Sequence, residues 1–229
     1  MIPQKPRPPV LDPKRIVEEG YDRIAERLLE WTGRTGAEVR ARYLGMVLDA
    51  LPAGAAVLDL GCGAGGTATR ILAGRFRLTG VDLSARSITL ARRTVPDALF
   101  LRADMTRLTI APATFDAVVA FYSIIHVPRA EHAALFANVA AWLRPGGLFV
   151  ASFGTRDTEA GYEDEWLGTP MYWSGYKPKV ELRLVEGAGL AVDRAAIETI
   201  DEDGQPTSFL WVVARASGTR RQNEATRVI

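Results

Sequence analysis

Three glycines, three aspartates and a histidine stand where a folded sheet would bring them to one edge. Gly61, Gly63 and Gly66 satisfy G-x-G-x-x-G directly after the apolar run 55–60. Glycines let a backbone take positive φ and approach a ligand closely, and the N–H groups opening the next helix then face that ligand. Asp82 follows Gly61 by about twenty residues, where a carboxylate at the end of a second strand accepts from a ribose diol. Taken alone, this spacing also allows an NAD(P)-dependent oxidoreductase. Asp59, however, puts negative charge just before the glycine turn, where a pyrophosphate would lie. Asp104 adds a third acid after the next strand. Three carboxylates on one rim suit a ligand that presents an ammonium, a ribose diol and an exocyclic amine.

Tyr122 and His126 follow a further apolar run, 115–122. An imidazole at the mouth of a site can take a proton from an acceptor hydroxyl or amine; it can equally hydrogen-bond the ligand or the loop before Val127 and Pro128. His132 is expected as an exposed helix residue. Cys62 has no base near it in sequence and reads as a small buried residue, not a nucleophile. Trp166, Tyr172, Trp173 and Tyr176 lie too close together for one core face. They suggest a lid over an apolar acceptor pocket, closed from the other side by Tyr21. Asp157, Glu159, Glu163, Asp164 and Glu165 give that stretch an acidic field, which favours a neutral or amine-bearing acceptor over an anion.

These groups need elements to hold them. Asp12–Pro13 reads as an N-cap followed by proline at the first helical position. Apolar residues at Ile16, Val17, Ile24, Leu28 and Trp31 give a helix to about residue 31, and a second runs from Val39 to Leu51. Strands and helices then alternate: strands at 55–60, 76–82, 98–102, 115–122 and 147–153, with helices at about 65–73, 84–94 and 129–143. Residues 154–178 show no period, 179–186 read as a last helix, and strands at about 190–200 and 206–214 flank the turn Asp203–Gly204. This is an α/β pattern: a doubly wound, mostly parallel sheet with an antiparallel hairpin at one edge. The organisation expected is a loose arm at 1–12, one domain over 13–215 (helical cap 13–54, lid 154–178) and a flexible basic tail at 216–229.

The 229 residues carry a formal net charge of +1, with no basic patch to suggest a nucleic-acid partner. No apolar run approaches the roughly 18–20 residues that span a bilayer. A single cysteine and an N-terminus without an apolar core point to the cytoplasm, and the two histidines leave too few soft ligands for zinc. No metal is expected. The chain is expected as a monomer or homodimer.

In order and spacing, the motifs resemble those of class I S-adenosylmethionine-dependent methyltransferases over about 37–215. VLDLGCGAG is similar to their first motif, GVDLS at 80–84 to the second-strand acid, ADM at 103–105 to the adenine-side acid, FDAVVAFYSIIHV at 115–127 to the fourth-strand motif, and LRPGG at 143–147 to the turn before strand five. The resemblance implies a Rossmann-like sheet of order 3-2-1-4-5-7-6 with strand seven antiparallel. It implies S-adenosylmethionine as cofactor, S-adenosylhomocysteine as product and a small-molecule acceptor. Gly61, Cys62 and Gly63 would lie against the methionine part. Asp59 would hold the turn or the amino group, Asp82 the ribose hydroxyls, and Leu83 would flank the adenine. Asp104 would accept from the adenine amine, with Met105 beside it. Tyr122 would line the transfer site and His126 serve as base, with Tyr21, Trp166, Tyr172 and Trp173 around the acceptor. A non-catalytic cofactor-binding subunit remains an alternative.

Overall fold

The computed structural model describes residues 12–217. The arm at 1–11 and the tail at 218–229 lie outside them. Six helices are described: α1 (Pro13–Thr32), α2 (Ala37–Ala50), α3 (Thr67–Arg75), α4 (Ala85–Thr94), α5 (His132–Trp142) and α6 (Pro178–Gly187). The strands are β1 (Ala56–Leu60), β2 (Arg77–Asp82), β3 (Leu99–Arg102), β4 (Phe115–Ala120), β5 (Leu143–Gly154), β6 (Thr158–Trp166), β7 (Thr169–Gly175), β8 (Leu190–Glu202) and β9 (Gln205–Ala216).

Seven strands form one sheet in the order β3-β2-β1-β4-β5-β9-β8, parallel except for β9. Counted without β6 and β7, this is the expected 3-2-1-4-5-7-6. The central strands are apolar on both faces because both are covered. In β4, Val118 and Ala120 enter the cluster under α5 and α6, whereas Ala117 and Val119 enter the one under α2 and α3. β9 alternates in the same way, with Leu210, Val212 and Ala214 on one side and Phe209, Trp211 and Val213 on the other. Trp211 stacks on Tyr43 of α2 at 4.3 Å.

The stretch 154–178 departs from the expected loop. It forms a two-stranded antiparallel sheet, β6–β7, turning at Leu167 and Gly168 with φ of 48° and 80°. Helix α1 starts as expected, with the Asp12 carboxylate accepting from Lys14 N at 3.0 Å. It packs Val17 and Ile24 against Met171 and Tyr172 of β7, a cluster apart from the two under the sheet. Gly20 lets them meet: a Cβ there would lie 2.9 Å from the Pro170 carbonyl oxygen. Thus α1 and the hairpin together roof the carboxyl ends of β1, β2 and β4.

Candidate functional site

Beneath that roof is a cavity of about 990 Å³. At one end, β1 stops at Leu60 and the chain turns through Gly61 (φ 80°), Gly63 (φ 55°) and Gly65 (φ 73°). Only glycine fits the first position, where a Cβ would sit 2.2 Å from Cβ of Ser123. At Gly63 a Cβ would meet nothing within 4 Å, so this backbone is open to the cavity.

Asp59 and Asp82 flank the turn. Asp59 is buried; its Oδ2 accepts from the Thr69 hydroxyl of α3 at 2.9 Å and takes no N–H from the glycine turn. Burial pushes its carboxyl up to about 7. Asp82 accepts from the backbone N–H groups of Gly63 (2.8 Å) and Ser84 (2.9 Å), yet burial still lifts it to about 6. No described lysine or arginine pairs with either acid. Two desolvated carboxyls on a cavity wall without a counter-charge form a cation-accepting end. A sulfonium with its ammonium and a ribose diol fit this donor and acceptor set; a diphosphate does not.

Leu83, Ala103 and Met105 line the cavity beyond Asp82. Asp104 lines it too, but its carboxylate is already engaged. Oδ1 takes the Thr106 N–H and hydroxyl, both at 2.9 Å, and Oδ2 takes Lys14 Nζ at 2.8 Å. Burial alone would raise this carboxyl, but Lys14 and Thr106 hold it below its ordinary value. Lys14 also reaches Glu131 at 2.6 Å, tying α1 to the start of α5. Cys62 is buried in the turn, and burial raises its thiol well above its usual value.

The other end of the cavity is aromatic. His126 sits on a single 3-10 turn after β4, its ring 4.5 Å from Trp173. Its Nδ1 lies 2.8 Å from the Tyr172 carbonyl oxygen, so Nδ1 carries the proton and Nε2 the lone pair. The Tyr21 hydroxyl of α1 donates to Nε2 at 2.6 Å. Burial lowers His126 to about 4 and raises Tyr21 above its usual range, so at neutral pH the pair is uncharged. Trp166 packs edge-on to Tyr21 and Trp173. Tyr122, held at φ 56°, lines the same end, with burial raising its hydroxyl to about 12.

Several sequence expectations need correction. The Tyr172 side chain does not line the cavity; it packs under α1 and contributes its backbone carbonyl to His126. His126 does not face the cavity with a free nitrogen, because Tyr21 caps it. His132 is buried rather than exposed, with Nδ1 3.0 Å from Glu181 and Nε2 3.1 Å from the Val127 carbonyl. Tyr176 stacks under Arg129, away from the cavity. Asp157 and Glu159 pair with that same Arg129, at 2.6 and 3.3 Å, so the acidic field loses two of its charges. Lys14, Arg40 and Glu202 line the cavity without any local motif that would announce them.

Comparison with known proteins agrees with this geometry. The family description "methyltransferase domain" matches residues 57–147. Ubiquinone biosynthesis O-methyltransferase of Methylobacterium sp. (strain 4-46) is 30% identical over 190 residues, covering 76% of this chain and 74% of that protein. Phosphoethanolamine N-methyltransferase 1 of Triticum aestivum is 29% identical over 180 residues; the match takes in 76% of this chain but only 34% of that longer protein. Among solved structures, the DhpI–SAH complex superposes with a TM-score of 0.67 at 22% identity, covering 90% of this chain and 98% of that one. This last likeness concerns the fold alone.

Proposed function

Because the chain belongs to the class I S-adenosylmethionine-dependent methyltransferases, we propose that it moves a methyl group from S-adenosylmethionine to an oxygen, nitrogen or sulfur of a small acceptor by in-line displacement. One observation carries this reading: a single cavity joins the acid-lined glycine turn to the Tyr21–His126 pair. The bound cofactor supplies an electrophilic methyl on a sulfonium with a neutral leaving group. The protein has to align, dehydrate and deprotonate, and proximity supplies much of the rate.

Each residue then has a task. Asp59 faces the cofactor's ammonium end, Asp82 its ribose hydroxyls, and Leu83 and Met105 the adenine. Asp104 reaches the adenine edge only in company with Lys14. Trp166, Trp173 and Tyr122 wall the acceptor and exclude water. The Tyr21 oxygen keeps lone pairs when its proton points to His126. It can therefore accept the acceptor's proton while its own proton passes to His126 Nε2, and Tyr172 holds the opposite ring nitrogen throughout. The hairpin and α1 would close over the bound pair as a lid.

Calorimetry with S-adenosylhomocysteine and with NAD, followed by a labelled-methyl screen of metabolite extract, tests this. Binding of the first, none of the second and a labelled small product are expected. Binding of NAD alone would restore the oxidoreductase reading. Binding of S-adenosylhomocysteine with no labelled product would leave a non-catalytic subunit.

A further inference from the structure

Arg40 is a cation at the cavity's aromatic end that the reading above does not use. It rises from α2 at the aromatic end, half-buried, and lines the cavity. No carboxylate of the described residues lies within ion-pair distance of it. Its Nη1 donates to the Thr32 carbonyl at 2.8 Å and, with Nη2, makes two long contacts of 3.5 and 3.4 Å to the Thr35 carbonyl. Nε has no partner among the described residues. The guanidinium lies over the Tyr122 ring, 5.0 Å from its centroid. Tyr122 is a neutral phenol at neutral pH and supplies no counter-charge.

A cation partly removed from water and offset only by two carbonyls and a ring face carries a desolvation cost, and an arriving anion relieves it. A guanidinium fixed by the Thr32 carbonyl and the Tyr122 ring, with its Nε–H left over, keeps a donor for a planar or forked oxyanion. Arg156, exposed at the cavity rim with no ion pair among the described residues, adds positive charge on the same route. Glu163, Glu165 and Glu202 also line the cavity. Burial raises the Glu202 carboxyl above its ordinary value, and none of these three carboxylates pairs with Arg40.

We propose that Arg40 is the oxyanion-binding residue of the acceptor site and that the methyl acceptor carries a carboxylate or phosphate group. This rests on the methyltransferase reading, which makes this end of the cavity the acceptor's. It reverses the preference for a neutral or amine acceptor drawn from the acids of 154–178.

The test titrates the full chain, saturated with S-adenosylhomocysteine and also ligand-free, with inorganic phosphate, phosphoethanolamine, citrate and benzoate. Ethanolamine and benzamide serve as counterparts lacking the oxyanion. At least one oxyanion probe should bind while its counterpart does not. Arg40→Gln should weaken that probe tenfold or more, and Arg40→Lys, which keeps a charge and a donor toward Thr32, should weaken it less. S-adenosylhomocysteine affinity should hold in both variants. In the unaltered protein, the Arg40 Nε–H resonance, assigned by its loss in Arg40→Lys, should move with the probe, so the result does not depend on a variant folding. If no oxyanion binds either form, or if binding leaves that resonance and Arg40→Gln unaffected, Arg40 only fastens the turn between α1 and α2. Failure of S-adenosylhomocysteine to bind would instead remove the methyltransferase reading.

Discussion

Tyr21 and His126 work as one unit, because the phenol fixes the imidazole's lone pair and the Tyr172 carbonyl fixes its proton. Tyr21→Phe and His126→Ala should each lower kcat by about a hundredfold, within the usual range for a positioned base. The double variant should lose little more than either single one, since residues in one hydrogen-bonded pair do not add. Affinity for S-adenosylhomocysteine should stay within about twofold in all three; loss of cofactor with rate retained would dismiss the base assignment. With His126 lowered to about 4, kcat should hold from pH 8 to near 5 and fall only as the ring protonates and turns the phenol away. Asp59 makes a separate prediction. Its carboxyl, near 7 when folded, binds a proton that the unfolded chain releases near 4. Its contribution to stability is therefore present in full below about pH 4 and lost as pH rises through 7. Ligand-free protein should gain Tm between pH 8 and 5 from this group, and Asp59→Asn should flatten that slope. On the proposal that Asp59 pairs with the cofactor's ammonium, affinity for the cofactor should fall as pH drops below 7, by up to tenfold per unit and per proton taken up. The same substitution should remove the part of that dependence centred near 7 and leave only the part that Asp82 contributes near 6. A pH-independent Kd in the unaltered protein would rule out Asp59 as the cation's partner.

The β6–β7 hairpin is the element the sequence conceals. Its first strand, TEAGYEDEW, is largely exposed and has no apolar alternation to mark a core face. What pairs it with β7 is backbone hydrogen bonding and a turn at Leu167–Gly168, where a non-glycine residue at positive φ gives no sequence signal. The central strands were legible for the opposite reason, since burial on both faces demands continuous apolar runs. The acids at Asp59, Asp82 and Asp104 were legible because strand ends fix them in register. Tyr21 could be placed over the site but not onto His126, 105 residues away, and Lys14 and Arg40 arrive from helices whose docking no local pattern encodes. That docking rests at Gly20, where the helix backbone touches Met171 and Pro170. Gly20→Ala should force α1 and the hairpin apart at a cost of about 1–3 kcal/mol, typical of overpacking. The expected readout is a raised KM for cofactor and faster release of S-adenosylhomocysteine in stopped-flow, even though alanine is the better helix former. An unchanged release rate would show that the contact relaxes without moving the helix.

At the scale of the molecule, α1 is a strap laid over the whole cavity. Twenty residues span about 30 Å. Lys14 fastens one end to Asp104 and Glu131, Asp22 accepts from the Ser84 hydroxyl and the Arg86 N–H midway, and Trp31 donates to Asp203 at the tip of the β8–β9 hairpin. These are polar ties. The apolar packing of α1 belongs to a small cluster shared with β7, not to the two cores that hold the sheet. A unit with few apolar contacts and many polar ones opens at a lower free energy than the sheet beneath it. Such opening provides a route for ligands to enter and leave a roofed cavity. Amide exchange tests this directly. In ligand-free protein, amides of α1 and of β6–β7 should exchange at similar rates, well ahead of β1, β4 and β5. S-adenosylhomocysteine should slow both segments by the same factor, because each needs the other to stay closed, and Gly20→Ala should remove that common protection. Exchange in α1 as slow as in β4 without ligand would show that the strap does not open. Protection of α1 without the hairpin would show that the two move separately, leaving Lys14 and Trp31 as the fastenings and Gly20 as a contact without consequence for release.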